Sequence, residues 1–182
     1  MKLSASNIRA RVLPVAGMLM LASAAFVSPT DQDATQLGSK IGVNPVRHWT
    51  THCESTVNST GVVSTMNVTG NLSIADNDTW IHSLGCPPGE YGVFLFGVQP
   101  AELPWGNGVL CISPFYPGLV RLNQPAIIDF SGATSMPFDM SALPASVQVV
   151  AGTEYYFQCM FRDTAEGSRF NLSNGVSVVF GL

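Results

Sequence analysis

The sequence predicts an all-β chain, an antiparallel two-sheet β-sandwich of jelly-roll type, on three observations. From Gly61 onward apolar and small polar residues alternate with period 2. Clusters of Pro, Gly, Asn and Asp interrupt the alternation at close intervals, as turns do. Between Ser113 and Leu182 no run keeps a 3.6-residue period for the roughly ten to twelve residues a helix needs. About nine or ten short strands result, which suits two packed sheets; a closed barrel is the alternative.

The 182 residues leave room for one domain and some extra. The chain is 46% hydrophobic but only 11% charged, against roughly 25% in typical soluble domains, so Ser, Thr, Asn and Gly must form the polar face. Net charge is −4, and three of the eight basic residues (Lys2, Arg9, Arg11) lie at the amino end. Too little positive charge remains to neutralise a phosphate backbone, which excludes nucleic acid as a partner.

Residues 1–25 have the three parts of a signal peptide: those basic residues, an apolar run from Val12 to Leu21, and the small residues Ala22, Ser23, Ala24 and Ala25. The run is shorter than the ~20 residues a membrane span requires, and Pro14 and Gly17 weaken it as a helix. No later segment is long and apolar enough to span. Cleavage therefore predicts a secreted or cell-surface protein, with the periplasm as the other destination. Residues 26–47 mix polar residues with Gly and Pro and read as a flexible linker. Asp31 and Asp33 lack the Gly and distal Glu of a calcium loop.

The β-sandwich domain is placed at 48–182. HWTTHCES begins it with an aromatic and the first cysteine. His48 and His52 have a helical zinc spacing, yet the Thr-rich surroundings favour a strand, in which positions four apart are about 13 Å distant. VVSTMNVT, NLSIA and DTWIHSL follow as strands, with Val62, Ser64, Met66 and Val68 on one face and Val63, Thr65, Asn67 and Thr69 on the other. Asp76-Asn77-Asp78 reads as a turn stabilised by Asx side chains rather than a cation site. Five of the ten asparagines (Asn58, Asn67, Asn71, Asn77, Asn171) lie in Asn-x-Ser/Thr sequons, either glycan acceptors or the polar side of alternating strands.

The segment from Cys86 to Cys111 is the centre of the domain. Pro87 and Pro88 end the preceding strand by removing backbone donors. In YGVFLFGV neither alternating set is polar, so this strand is expected to be central and covered on both faces. Pro100, Pro104 and Gly106-Asn107-Gly108 turn the chain, and VLCI returns. LVRL, AIIDF, SVQVV, EYYFQCMFRD and GVSVVFGL complete the strands.

Four cysteines after a secretory signal, Cys53, Cys86, Cys111 and Cys159, predict two disulfides. Of the three connectivities, Cys86 with Cys111 and Cys53 with Cys159 is favoured, because the first pair closes one strand-loop-strand unit and would contribute about 3 kcal/mol. A four-thiolate zinc site lacks its Cys-x-x-Cys pair.

The blocks CESTVNSTG, NLSIADND, GCPPGEYGVFLFG, PWGNGVLC, VRL, YYFQCMFRD and FNLSNGVSVVF resemble, in order, an uncharacterised β-module found at the C-terminal end of large secreted proteins of planctomycete-like bacteria. The likeness spans nearly all of Cys53–Phe180. It carries no known activity and no catalytic residue to transfer, and the chain is read as a non-catalytic module with no cofactor. It also favours the strand-face reading of the sequons. The chain departs from the pattern in that the module stands almost alone after the signal, and in placing Cys159 where an aromatic is more usual.

Three functional readings follow. The leading one is a structural or interaction module meeting an extracellular glycan or surface protein through polar loops. The second is a carbohydrate-binding module, which expects Trp105 with Trp80 or Trp49 exposed and coplanar. Arg162-Asp163 with the following Gly167–Asn171 offers a guanidinium fork and oxygens for such a ligand, or else simply anchors the last hairpin. The weakest is a hydrolase: the sequence lacks Gly-x-Ser-x-Gly, His-Glu-x-x-His and a Gly-rich phosphate loop, leaving scattered His82, Asp129 and Glu154. A His converging with two carboxylates in one cleft is the observation that would favour an enzyme.

Overall fold

A computed structural model describes residues 48–115, 117–122, 124–165 and 167–182. The signal peptide and linker expected over 1–47 lie outside the described residues. Twelve strands are present among those described: β1 (His48–Cys53), β2 (Thr65–Gly70), β3 (Thr79–Leu84), β4 (Tyr91–Gly97), β5 (Pro100–Trp105), β6 (Gly108–Ile112), β7 (Leu119–Arg121), β8 (Ala126–Ile127), β9 (Thr134–Phe138), β10 (Glu154–Arg162), β11 (Phe170–Leu172) and β12 (Gly175–Val179). The only described helical turns are two of 3-10 type, Met140–Ala142 and Ala145–Val147.

The strands form the antiparallel sandwich that the alternation predicts. One sheet has the order β1-β12-β10-β4-β7, with β11 continuing the edge of β10 and β8 that of β4. A three-stranded sheet, β2-β3-β9, packs on one of its faces. Met66, Val68, Ile81 and Phe138 from the small sheet meet Phe94, Phe96, Phe157, Phe161, Val176 and Val178 from the large one in the main core. A third layer, the β5–β6 hairpin, covers part of the opposite face and packs Leu110 and Ile112 against Val93, Leu95 and Tyr156.

β4 is therefore central and sandwiched, as its doubly apolar sequence demands. Phe94 and Phe96 enter the main core while Val93 and Leu95 enter the second, because consecutive side chains of a strand point to opposite faces. Small residues make the close packing possible. A methyl at Gly97 would meet Ile112 at 2.3 Å, so Gly97 sets how closely the hairpin approaches.

Several local expectations change. NLSIA is a loop: Ser73 makes an isolated parallel bridge to Gly181, and Leu72 and Ile74 bond the chain end instead of a neighbouring strand. SVQVV is also irregular, because side chains satisfy its backbone; the Tyr155 hydroxyl accepts from the Val150 amide and donates to the Gln148 carbonyl. Conversely, Pro100–Trp105 and Thr134–Phe138 are strands despite Pro100, Pro104 and Pro137. Each pairs on one side only, where a missing amide breaks no ladder.

The favoured cysteine pairing is corrected. Cys53 bonds Cys111, with Cα atoms 5.9 Å apart, fastening the end of β1 to β6. Cys86 and Cys159 are unbonded and buried. Cys86 cannot reach Cys111 because β4 and its sheet lie between them: Cys86 belongs to the main core, whereas Cys111 sits on the hairpin across the opposite face.

Buried Gln158 holds these layers together. Its amide nitrogen donates to the Val109 and Ser173 carbonyls, both at 2.8 Å, and its oxygen accepts from the Cys111 amide at 2.9 Å. Gln158→Leu leaves the buried Cys111 amide and Ser173 carbonyl and the half-buried Val109 carbonyl without this partner and is expected to lower stability by about 3 kcal/mol or more, read as a shifted urea midpoint. A change within 0.5 kcal/mol (about the range for neutral surface substitutions) would contradict that role.

The sequons divide by burial. Asn58 donates to Ser64 Oγ and the Gly85 carbonyl, and Asn171 accepts from Thr56 and the Leu172 amide. Both are buried and engaged in hydrogen bonds that hold the loop after β1. Asn71 and Asn77 are exposed. Asn77 adopts a positive φ of 46°, and its side chain links Asp139 with the Met140 amide, which establishes the turn reading of Asp76-Asn77-Asp78.

Candidate functional site

The β5–β6 hairpin leaves one end of the large sheet's outer face uncovered. There the period-2 alternation brings Tyr91 and Val93 of β4 beside Met160 and Arg162 of β10, since Met160 pairs with Val93 and Phe161 with Gly92. Arg121, paired with Leu95, adds its side chain from the end of β7. Phe170 opens β11 opposite Arg162. Trp105, the last residue of β5, walls the cleft from the hairpin tip. The cleft is open to solvent and has a volume of about 880 Å³, with Gln124, Pro125, Ser168 and Arg169 also lining it.

The tip is fixed in place. The Asn107 amide donates to the Phe170 carbonyl at 3.1 Å, and Asn107 Oδ1 accepts from the Ser168 amide at 2.9 Å. Trp105 meets Phe170 edge to face with centroids 5.8 Å apart. Gly106 has φ +65°, and a methyl there would strike the Phe170 ring at 2.3 Å, so only glycine fits this turn. Arg162 lies 6.0 Å from the centroid of the Tyr91 ring, a cation–π distance.

Charge is concentrated at this place. Residues 48–182 contain ten carboxylates, no lysine and three arginines, and all three arginines (Arg121, Arg162, Arg169) line this one cleft. They are exposed, and none forms a salt bridge with a described carboxylate. Glu90, next to Tyr91, is engaged by the Thr164 hydroxyl. Arg169 holds a left-handed backbone (φ 65°), which costs about 1 kcal/mol or more for a residue other than glycine.

The sequence-predicted site residues separate. Trp105 and Arg162 come together in the cleft. Asp163 does not: it is fully buried, and its carboxylate accepts from the Ser59 amide at 3.1 Å while its own amide donates to the Arg169 carbonyl at 3.0 Å, so it anchors the turn. Trp49 lines a separate shallow groove with Asn71 and Asp78, and Trp80 lies over His82 on the outer face of the small sheet. All three tryptophans are more than a third exposed, but they do not form one coplanar platform. Sequence reading missed Tyr91 and Arg121; the signal available for Arg121 was the scarcity of cations after residue 47.

A second, smaller cleft brings His52 beside Glu102, Glu154 and Tyr156. This is the convergence of a His with two carboxylates, of which Glu154 is committed to Tyr156 and Ser177. His52 Nε2 is buried without a described hydrogen-bond partner and faces Gly175, where a methyl would meet it at 2.6 Å. Glu154 is held below the usual carboxylate range by hydrogen bonds from Ser177 and Tyr156, with His48 and His52 adding attraction. Burial and Glu154 push the Tyr156 phenol up to about 12, so it stays protonated. Pro100 and Ala101 complete the lining and supply no nucleophile. Of the scattered hydrolase candidates, His82 bonds Thr69 and Asp129 caps the Ser131–Ala133 turn, both away from this cleft.

The second cleft predicts a pH dependence. Burial lowers the His52 pKa below 6.5, so the unfolded chain takes up its proton first; the stability of neutral His52 is full above 6.5 and is lost as pH falls through the native value. Glu154, lowered from 4.5, acts in the same direction at lower pH. Thermal midpoints are expected to fall between pH 7 and pH 5 (near the usual His range) and again below the Glu range, with Glu154→Gln flattening the second step and steepening the first, because the Glu154 charge partly offsets the burial of His52. A midpoint that rises on acidification would contradict both assignments.

Among the described residues no helix is long and apolar enough to cross a membrane, and no group of three His, Cys, Asp or Glu side chains is arranged to hold a metal ion. Comparison of the chain with models of protein families, with curated proteins and with solved structures returns no match.

Proposed function

We propose that the chain is an exported, non-catalytic β-module that holds an extracellular ligand in the cleft between Tyr91, Trp105 and Arg162. One observation carries the reading: on a sheet face otherwise covered by the hairpin, aromatic rings and guanidinium groups are left facing solvent around a shaped space of about 880 Å³. The signal-like residues 1–25, the Cys53–Cys111 bond and the resemblance to secreted bacterial β-modules support an oxidising destination outside the cytoplasm. Among extracellular ligands a glycan suits the cleft better than a surface protein. A tryptophan edge beside planar polar forks can hold a sugar ring and its substituents within a few residues, whereas a protein partner ordinarily needs a broader contact patch.

The test is retention on a glycan panel by the full chain. Trp105→Ala is expected to weaken the best binder roughly three- to tenfold, the range of one aromatic contact. Trp49→Ala and Trp80→Ala, which alter tryptophans outside the cleft, are expected to leave it unchanged. Absence of any glycan bound, or equal retention by the Trp105 variant, would overturn the reading.

A further inference from the structure

We infer that the ligand of this cleft is an acidic saccharide, one whose sugar rings carry carboxylate or sulfate groups. The inference rests on the binding-module reading above and specifies its chemistry. Gathering every cation of residues 48–182 at one place, on a domain that otherwise carries only carboxylates, costs repulsion among the three guanidinium groups. No described carboxylate relieves it through a salt bridge. Arg169 is also kept in a strained backbone conformation at the rim, where glycine would be relaxed. An anion bound among Arg121, Arg162 and Arg169 offsets these costs, because a guanidinium offers two parallel N–H donors to a carboxylate or sulfate. The exposed rings of Tyr91 and Trp105 decide between acidic ligands. They offer partly exposed apolar ring surface suited to the C–H groups of a sugar, and an extended acidic peptide has no equivalent in every unit.

Calorimetric titration of the full chain separates the possibilities, using an oligogalacturonate, its neutral methyl ester, a sulfated oligosaccharide and an oligoglutamate. The oligogalacturonate or the sulfated saccharide is expected to bind at least tenfold more tightly than the neutral ester, with affinity falling as salt rises. Arg162→Gln and Arg121→Gln are each expected to lower that affinity about tenfold. Arg169→Gly is expected to lower it as well while leaving the thermal midpoint equal or higher, a combination that loss of folding cannot produce. Equal affinity for the neutral ester, unaffected by the arginine substitutions but lost in Trp105→Ala, would overturn the acidic inference and leave the binding-module reading in place. Binding of oligoglutamate alone would overturn the saccharide assignment. Binding of none of the four, alongside an empty glycan panel, would overturn both.

A different observation carries a second inference: Cys86 and Cys159 form a disulfide that joins the two sheets. Cys159 lies on β10 of the large sheet, and Cys86 follows β3 of the small one. Both side chains are buried in the same core, with Ser83 Oγ 3.2 Å from Cys86 Sγ. Interaction between the two thiols draws the Cys86 thiol down to about 7 and pushes the Cys159 thiol up. Oxidation removes two protons and two electrons from the pair. A disulfide-bearing oxidant such as an oxidised thiol oxidoreductase accepts them: Cys86 attacks it, Cys159 then displaces the mixed disulfide, and the oxidant departs as its dithiol. Burial requires this to happen before the core closes. Chain recovered after export, denatured and alkylated without reductant, is expected to expose no free thiol, and peptide mapping is expected to show Cys86 joined to Cys159. Alkylation of both, or a map joining either of them to Cys53 or Cys111, would overturn it.

Discussion

Phe96→Ala is expected to lower the free energy of unfolding by about 3–5 kcal/mol, a large part of the stability of a domain this size. Phe96 is fully buried on β4 and touches three other rings: Tyr155 stacked at 5.4 Å, Phe138 at 5.3 Å and Phe157 at 5.1 Å. These come from β9 and β10, so the ring fills the space where the two sheets meet. The interior cannot close over its loss, because Phe138 is itself held edge to face by Phe157 and stacked by Phe180. Urea unfolding followed by fluorescence measures the change. Phe130→Ala is the control, since that ring is 100% exposed and should shift stability by less than about 0.5 kcal/mol. Equal effects at the two positions would contradict the packing described.

Removing the Cys53–Cys111 bond is the second large effect. The bridge closes a sequence separation of 58 residues, for which chain entropy gives about 4 kcal/mol. It acts at a weak point of the fold: among the described residues β1 lies at the end of its sheet and pairs with β12 alone, and its register shifts between Thr51 and Cys53. The pair Cys53→Ser with Cys111→Ser is expected to lower stability by roughly 2–5 kcal/mol. Amide exchange should rise first in β1, because the tie to β6 is lost while the core of β4 and β10 is untouched. A stability change under about 1 kcal/mol, or exchange rising uniformly across the sheets, would count against it.

Arg169 illustrates why the cleft and the core respond differently. Its side chain lines the cleft while its backbone is strained, so substitution there is expected to separate the proposed binding from stability; at Phe96 and Gln158 no such separation is expected, because those side chains serve packing and backbone pairing.

Much of the fold was legible in the residues. Alternation from Gly61, the doubly apolar YGVFLFG and the Pro-Pro stop before it placed β2, β3, β4, β6, β10 and β12, because side-chain direction along a strand is a local property of the backbone. The misread strands have local causes as well. β5 and β9 contain proline, which reads as a break unless the strand is known to lie at an edge, and SVQVV has strand composition but is bonded by Tyr155 instead of a neighbouring strand. Trp105 and Arg162 were named from their chemistry. Only their neighbours made them a site.

By itself the sequence determined that this is an all-β sandwich with a central strand buried on both faces, since hydrophobic period and turn residues act over a few positions. The cysteine pairing and the cleft were decided by the tertiary structure. Cys53 bonds Cys111 across the outer face, while Cys86 and Cys159 are buried together in the core on the other face. The three arginines converge because β7, β10 and the turn before β11 end at the same uncovered corner. Both outcomes depend on the register and stacking of strands far apart in the chain, which no local pattern encodes.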